Sequence, residues 1–178
     1  MSKKVTLGKE KILDNWFVLI DGAKGRGGEV IQKTLEFIQK SKAPGITVEE
    51  VKVFPPGGWK FLSGFFKRFD IGRNYVRVVN EDLGKIDMYV GAQDYGENLY
   101  VSWYLVMEAG LFDRLFPSEK AARLWRTVGG DILVEEELNA YVTCIHHCLL
   151  KAVEWLMTEM GQDFSKIDRK SKGFLGVS

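Results

Sequence analysis

Residues 85–107 read KIDMYVGAQDYGENLYVSWYLVM, and they alternate twice. Ile86, Met88 and Val90 point one way and Asp87, Tyr89 and Gly91 the other, because successive side chains of a strand lie on opposite sheet faces. Past Tyr95-Gly96-Glu97-Asn98, Leu99, Val101, Trp103 and Leu105 share one face, and Tyr100, Ser102, Tyr104 and Val106 share its opposite. The pattern predicts an antiparallel hairpin with one hydrophobic face and one tyrosine-rich face.

Upstream, Arg73, Tyr75 and Arg77 alternate with Asn74, Val76 and Val78, and Asn80-Glu81-Asp82-Leu83-Gly84 turns the chain into the hairpin, giving a three-strand meander. Further back, NWFVLID (15–21) is a continuous apolar run that reads as a strand buried on both faces. GAKGRGG breaks the period, and Ile31, Leu35 and Ile38 then recur at helical spacing until Pro44-Gly45 stops the helix. ITVEEVKVF (46–54) is a second strand, so strand, helix and strand form a crossover unit.

Downstream, AGLFDRLFP (109–117) is apolar but broken by Asp113 and Arg114. Ser118 can cap a short helix that runs through Trp125 to Gly129-Gly130. Residues 135–160 read as one long helix whose stripe is Leu138, Val142, Ile145, Leu149, Ala152 and Leu156. Flanking apolar residues widen the stripe past half the circumference, which predicts contact on two sides. The basic tail, 163–178, carries a single apolar cluster and is expected to be loosely held.

The fold class that satisfies this order is α+β: a curved antiparallel or mixed sheet of about five strands with a long C-terminal helix across its apolar face. In element order alone it resembles helix-grip and TATA-binding-protein-like domains. At 178 residues the chain suits a single domain, 1–178, that removes about 70% of its unfolded surface from water. Lys and Arg total 25 against 24 Asp and Glu, so no global field attracts nucleic acid. Cys144 and Cys148 stand four apart in a helical pattern, unlike a disulfide framework, and no apolar run reaches membrane-spanning length. A cytoplasmic location is the expectation.

The Cys144-Ile145-His146-His147-Cys148 cluster has metal-binding residue types. At about 100° per residue the four side chains diverge, so no metal and no paired-histidine catalysis is expected. The Gly22–Gly28 run lies between strand and helix, where backbone N–H groups can hold phosphate, but its spacing matches neither common phosphate-binding motif and it reads as a connection.

Two stretches read as surfaces for binding. The loop 55–69 carries Trp59, Phe61, Phe65 and Phe66 beside Lys60, Lys67 and Arg68, a mixture suited to a protein partner, a second copy of the chain or a membrane surface. Arg73, Tyr75, Arg77, Tyr89, Tyr100 and Tyr104 share the tyrosine-rich face and could line a ligand site, unless the first helix covers them. The resulting expectation is a non-catalytic, cofactor-free domain that binds an amphipathic small molecule or a protein partner, possibly as a homo-oligomer. A peripheral membrane module is the alternative, and an enzyme the third reading.

Overall fold

The computed structural model describes residues 3–6, 10–54, 72–84, 86–108, 132–173 and 175–178. Among the described residues six strands make one open sheet: β1 (Lys3–Thr6), β2 (Glu10–Ile20), β3 (Ile46–Phe54), β4 (Arg73–Asn80), β5 (Ile86–Tyr95) and β6 (Asn98–Glu108). Their spatial order is β1-β3-β4-β5-β6-β2. β1 runs parallel to β3 and every other pair is antiparallel, so the sheet is mixed. Four residues are too few for β1 to show a period, and the sequence accordingly gives no sign of it.

Helix α1 (Gly27–Ser41) and the long helix α2 (Ile132–Glu159) lie together on one face. On that face Val78, Met88, Val90, Leu99, Val101, Trp103 and Leu105 form a single core with Leu138, Val142, Ile145, Leu149, Ala152 and Leu156. Val30, Ile31, Leu35 and Ile38 of α1 join the same core, so α2 packs against both the sheet and α1. This explains its wide apolar arc. With both helices on one side, the tyrosine-rich side of the sheet, the far face, is left uncovered by α1. No helix among the described residues is long and apolar enough to cross a membrane.

β2 corrects one expectation. It is an edge strand, and its apolar run is buried on one face only: Trp16 and Ile20 are in the core, whereas Phe17 and Leu19 are exposed on the far face. Within β2 the register with β6 shifts between Ile12 and Asp14, a β-bulge at Leu13. A bulge adds one residue to the strand and re-aims the side chains beyond it. Asp14 pairs with Leu105 and faces inward with Trp16, Val18 and Ile20, where its carboxylate is 1% exposed; across the bulge Ile12 pairs with Val106 and is turned to the far face.

The sequence predicts a loosely held C-terminal tail; the structure docks it. Residues 168–173 and 175–178, the strap, supply donors to Asp14: Gly173 N–H at 2.7 Å, Leu175 N–H at 2.9 Å, Gly176 N–H at 3.1 Å and the Ser171 hydroxyl at 2.9 Å. Asn15 N–H adds a fifth at 2.7 Å. Lys172 N–H donates to Asn15 O on the outer edge of β2, and Lys172 Nζ sits 4.1 Å from the Phe17 ring centroid. The strap thus covers part of an otherwise open strand edge, a common way of blocking unwanted pairing.

Candidate functional site

The six far-face residues are brought together by the register. Arg77 stands opposite Tyr89, Tyr89 opposite Tyr104, and the Tyr75 ring lies 6.5 Å from both Tyr89 and Tyr104 in edge contacts. Tyr75 reaches them by crossing Gly91, where a Cβ would fall 2.6 Å from its ring. A ring covering a strand glycine fills the gap left by the missing side chain. Burial raises the Tyr75 pKa, and Arg73 and Gln93 hydrogen-bond its hydroxyl. Tyr100 is likewise pushed up, by burial first and then by its hydrogen bond to Tyr104.

These residues pack on one another. Tyr89, Val51 and Val106 form a second small buried cluster, with Val5, Val53, Tyr75 and Tyr104 against it. Arg77 is fully engaged: Nε and Nη2 donate to Asp87 Oδ2 at 3.0 and 2.8 Å, and Nη1 donates to Glu49. Burial works against its charge, but the two carboxylates outweigh burial and raise its pKa. Glu49 is lowered by the Arg77 hydrogen bond, whereas at Asp87 burial outweighs the same guanidinium and raises the pKa. Asp87 Oδ1 is buried without a hydrogen-bond partner. Arg73 is exposed on this face.

A cavity of about 280 Å³ opens on the opposite side of the sheet. Ile31, Val76 and Ala92 give it apolar walls, Glu50 and Asn74 stand exposed at its rim, and Gly27 and Gly28 bring the first turn of α1 alongside. Tyr75 and Val51 also line it, although register places their side chains on the far face, so they contribute main chain. Gly27 is required by close approach: a Cβ there would lie 2.9 Å from the Ala92 carbonyl oxygen and 3.3 Å from Leu99 Cδ1. At Gly28 a Cβ meets nothing within 4 Å. Gly27→Ala is accordingly expected to cost about 1–2 kcal/mol through overpacking, while Gly28→Ala is neutral or stabilises by up to about 1 kcal/mol; thermal melts of the two variants check the contrast.

No protein-family model, curated protein or solved structure matches this chain. Its own side chains are the guide to what it does.

The glycine-rich run proves to be a clasp between β2 and the β5–β6 turn. Gly22 N–H donates to Asn98 Oδ1 at 3.1 Å, Gly25 N–H to Asp94 Oδ1 at 2.9 Å, and Lys24 pairs with Glu97 at 2.8 Å. Arg26 binds Glu29 and reaches Glu159 at 2.8 Å, tying the start of α1 to the end of α2. Its hydrogen bonds to Glu29 and Glu159 raise its pKa. These donors and cations are already occupied by acidic and amide side chains, the partners a phosphate would have to displace.

His146 is fully buried on α2 and His147 is exposed, with ring centroids 6.1 Å apart. Each bonds a different carbonyl: His146 Nε2 that of Arg169 at 2.7 Å, His147 Nε2 that of Ser178 at 2.9 Å. Burial pushes the Cys148 thiol up to about 12, with Cys144 adding to the shift, so it stays protonated and a poor nucleophile at neutral pH. Among the described residues no three His, Cys, Asp or Glu side chains gather to hold a metal ion. The association surface expected of Trp59, Phe61, Phe65 and Phe66 lies outside the described residues, as does the short helix expected after Ser118.

Sequence reasoning missed the groups that fasten the C-terminal strap: Asp14, which accepts from it, and the buried Trp16, Trp103 and His146. A lone acid at the head of an apolar run, LDNWFVLI, was the available sign.

Proposed function

We propose that this is a non-catalytic binding domain for a small amphipathic molecule, held between the first turn of α1 and the β3–β5 part of the sheet. The cavity carries the reading. Ligand pockets commonly enclose about 300–1,000 Å³ with apolar walls and few polar groups, and one of about 280 Å³ suits a small molecule. Its apolar part would lie against Ile31, Val76 and Ala92, and its polar part would face Glu50 and Asn74. Part of the far face supports the same choice of site, since Tyr75, Tyr89 and Tyr104 pack on one another and Arg77 is held by Asp87 and Glu49.

Gly28→Leu tests the proposal. The substitution adds a branched side chain at the cavity wall from a position where a Cβ meets nothing, so the fold should be unaffected. Hexan-1-ol, hexylamine and hexanoate serve as probes, followed through the amide NMR signals of Gly27, Asn74 and Ala92. At least one probe is expected to shift those signals, and Gly28→Leu to weaken it by about tenfold or more at unchanged melting temperature. No shift with any probe, or equal binding by the variant, overturns the reading.

A further inference from the structure

The strap is fastened at a buried ring whose two nitrogens have fixed and opposite roles. The indole Nε1 of Trp103 is a donor only, and it lies 2.8 Å from His146 Nδ1. The Arg169 carbonyl is an acceptor only, 2.7 Å from Nε2. His146 must therefore be neutral, with its proton on Nε2 and its lone pair on Nδ1 accepting from Trp103. Trp16 closes the group from β2: its ring meets His146 edge-on at 5.5 Å, and its Nε1 donates to the Asp168 carbonyl at 2.7 Å. Two consecutive carbonyls of the strap, Asp168 and Arg169, are thus held by this cluster, just before the strap turns its amides onto Asp14.

We propose that His146 is an acid-operated latch whose protonation releases the strap and uncovers the outer edge of β2 around Asn15. A proton can add only at Nδ1, and there it would face the Trp103 N–H, two donors with no acceptor between them. The cation would also be fully buried. The Trp103 side cannot adapt, because an indole offers no lone pair in the ring plane. The Arg169 side can open, because the strap is the surface piece. Letting it go admits water to the ring.

The charges around the ring favour the same direction. Desolvation is the largest influence and lowers the His146 pKa; His147, beside it on α2, lowers it further. The Arg169 carbonyl and the Asp14 carboxylate, facing it from the strap and from β2, oppose this and are outweighed. The Arg169 guanidinium lies over Phe164 at 4.7 Å, and the Asp168 carboxylate accepts from Lys170 N–H at 3.0 Å. From β6 the facing residue is the uncharged Trp103.

A histidine whose folded pKa is depressed binds its proton more readily in the released form. Docking is therefore complete above the ordinary value of 6.5 and weakens as pH falls from there towards the lowered value. One proton gives at most a tenfold change in the docking equilibrium per pH unit.

Amide hydrogen exchange of the full chain between pH 7.5 and 4.5, corrected for intrinsic rates, tests the latch. Protection at Lys172, Gly173 and Gly176 is expected to fall by up to tenfold per unit below about 6.5, while core amides such as Leu149 stay protected. His146→Gln offers an acceptor and a donor but does not titrate, so its strap protection should be flat over the same range. Asp14, the other acid-titratable group holding the strap, is separated by this variant. If His146→Gln keeps the wild-type pH slope, or folds too poorly to measure while the wild-type His146 ring signals titrate without any change in strap protection, the latch is wrong. Core and strap amides losing protection together would also overturn it, since that is global unfolding.

Discussion

Asp14→Ala should unfasten the C-terminal strap and remove about 3–5 kcal/mol of stability. The carboxylate accepts from four backbone N–H groups and one hydroxyl at 2.7–3.1 Å while 1% exposed. A buried donor left bare costs about 1–3 kcal/mol, so five of them retained in place would consume the whole of the roughly 5–15 kcal/mol that holds a domain together. The strap can instead swing into water and satisfy its donors there. The loss is then capped near the docking energy of the strap itself. Denaturant unfolding should show the shift, and exchange protection at Gly173 and Gly176 should vanish while that of β5 and β6 persists. A loss below about 1 kcal/mol with strap protection retained would show that the carboxylate is not the anchor.

Trp103→Ala is expected to cost at least as much, about 3–5 kcal/mol from the cavity alone. The indole is completely buried in the core between β6 and α2. Its removal also strips His146 Nδ1 of its donor, and with it the neutral tautomer loses its definition. Trp103→Phe separates the two contributions: it restores most of the volume but not the N–H. Tyr104→Phe, one residue on and on the far face, should change stability by less than about 1 kcal/mol, because it removes a hydroxyl shared with Tyr100 at a half-buried site. Similar large losses from Trp103→Ala and Tyr104→Phe in thermal denaturation would contradict the assignment of faces.

The face assignment itself was legible from residues 85–107, because a period of two admits only one partition of Leu99, Val101, Trp103 and Leu105 from Tyr100, Ser102 and Tyr104. The long helix was legible for a similar reason, and its wide apolar arc foretold contact on two sides. What could not be read was anything fixed by geometry between distant segments. The bulge at Leu13 sends Ile12 to the far face, against the alternation that keeps Asp14 inward with Trp16 and Ile20, and no local pattern announces a bulge. The strap holds few apolar residues and so reads as loose, yet its anchoring depends on backbone N–H groups, which are the same in every sequence. The cavity beside α1 depends on how closely Gly27 lets the helix approach Ala92, a separation that composition does not encode. Tyrosines and arginines on one face suggest a binding surface, but whether such groups greet a ligand or each other is decided by Gly91 and by the carboxylates of Glu49 and Asp87.

Asp14 and its last donor, Gly176, are separated by 162 positions. At roughly 5–20 residues per second, a ribosome needs on the order of ten to thirty seconds to travel from one codon to the other. Through that interval β2 can pair with β6 as soon as the latter emerges, but its inward carboxylate has no donors from the strap. The nascent sheet therefore carries an exposed polar flaw and an unguarded edge until synthesis has almost passed the strap, and this is the period in which the chain is most open to chaperones, to proteases and to pairing with a neighbouring copy.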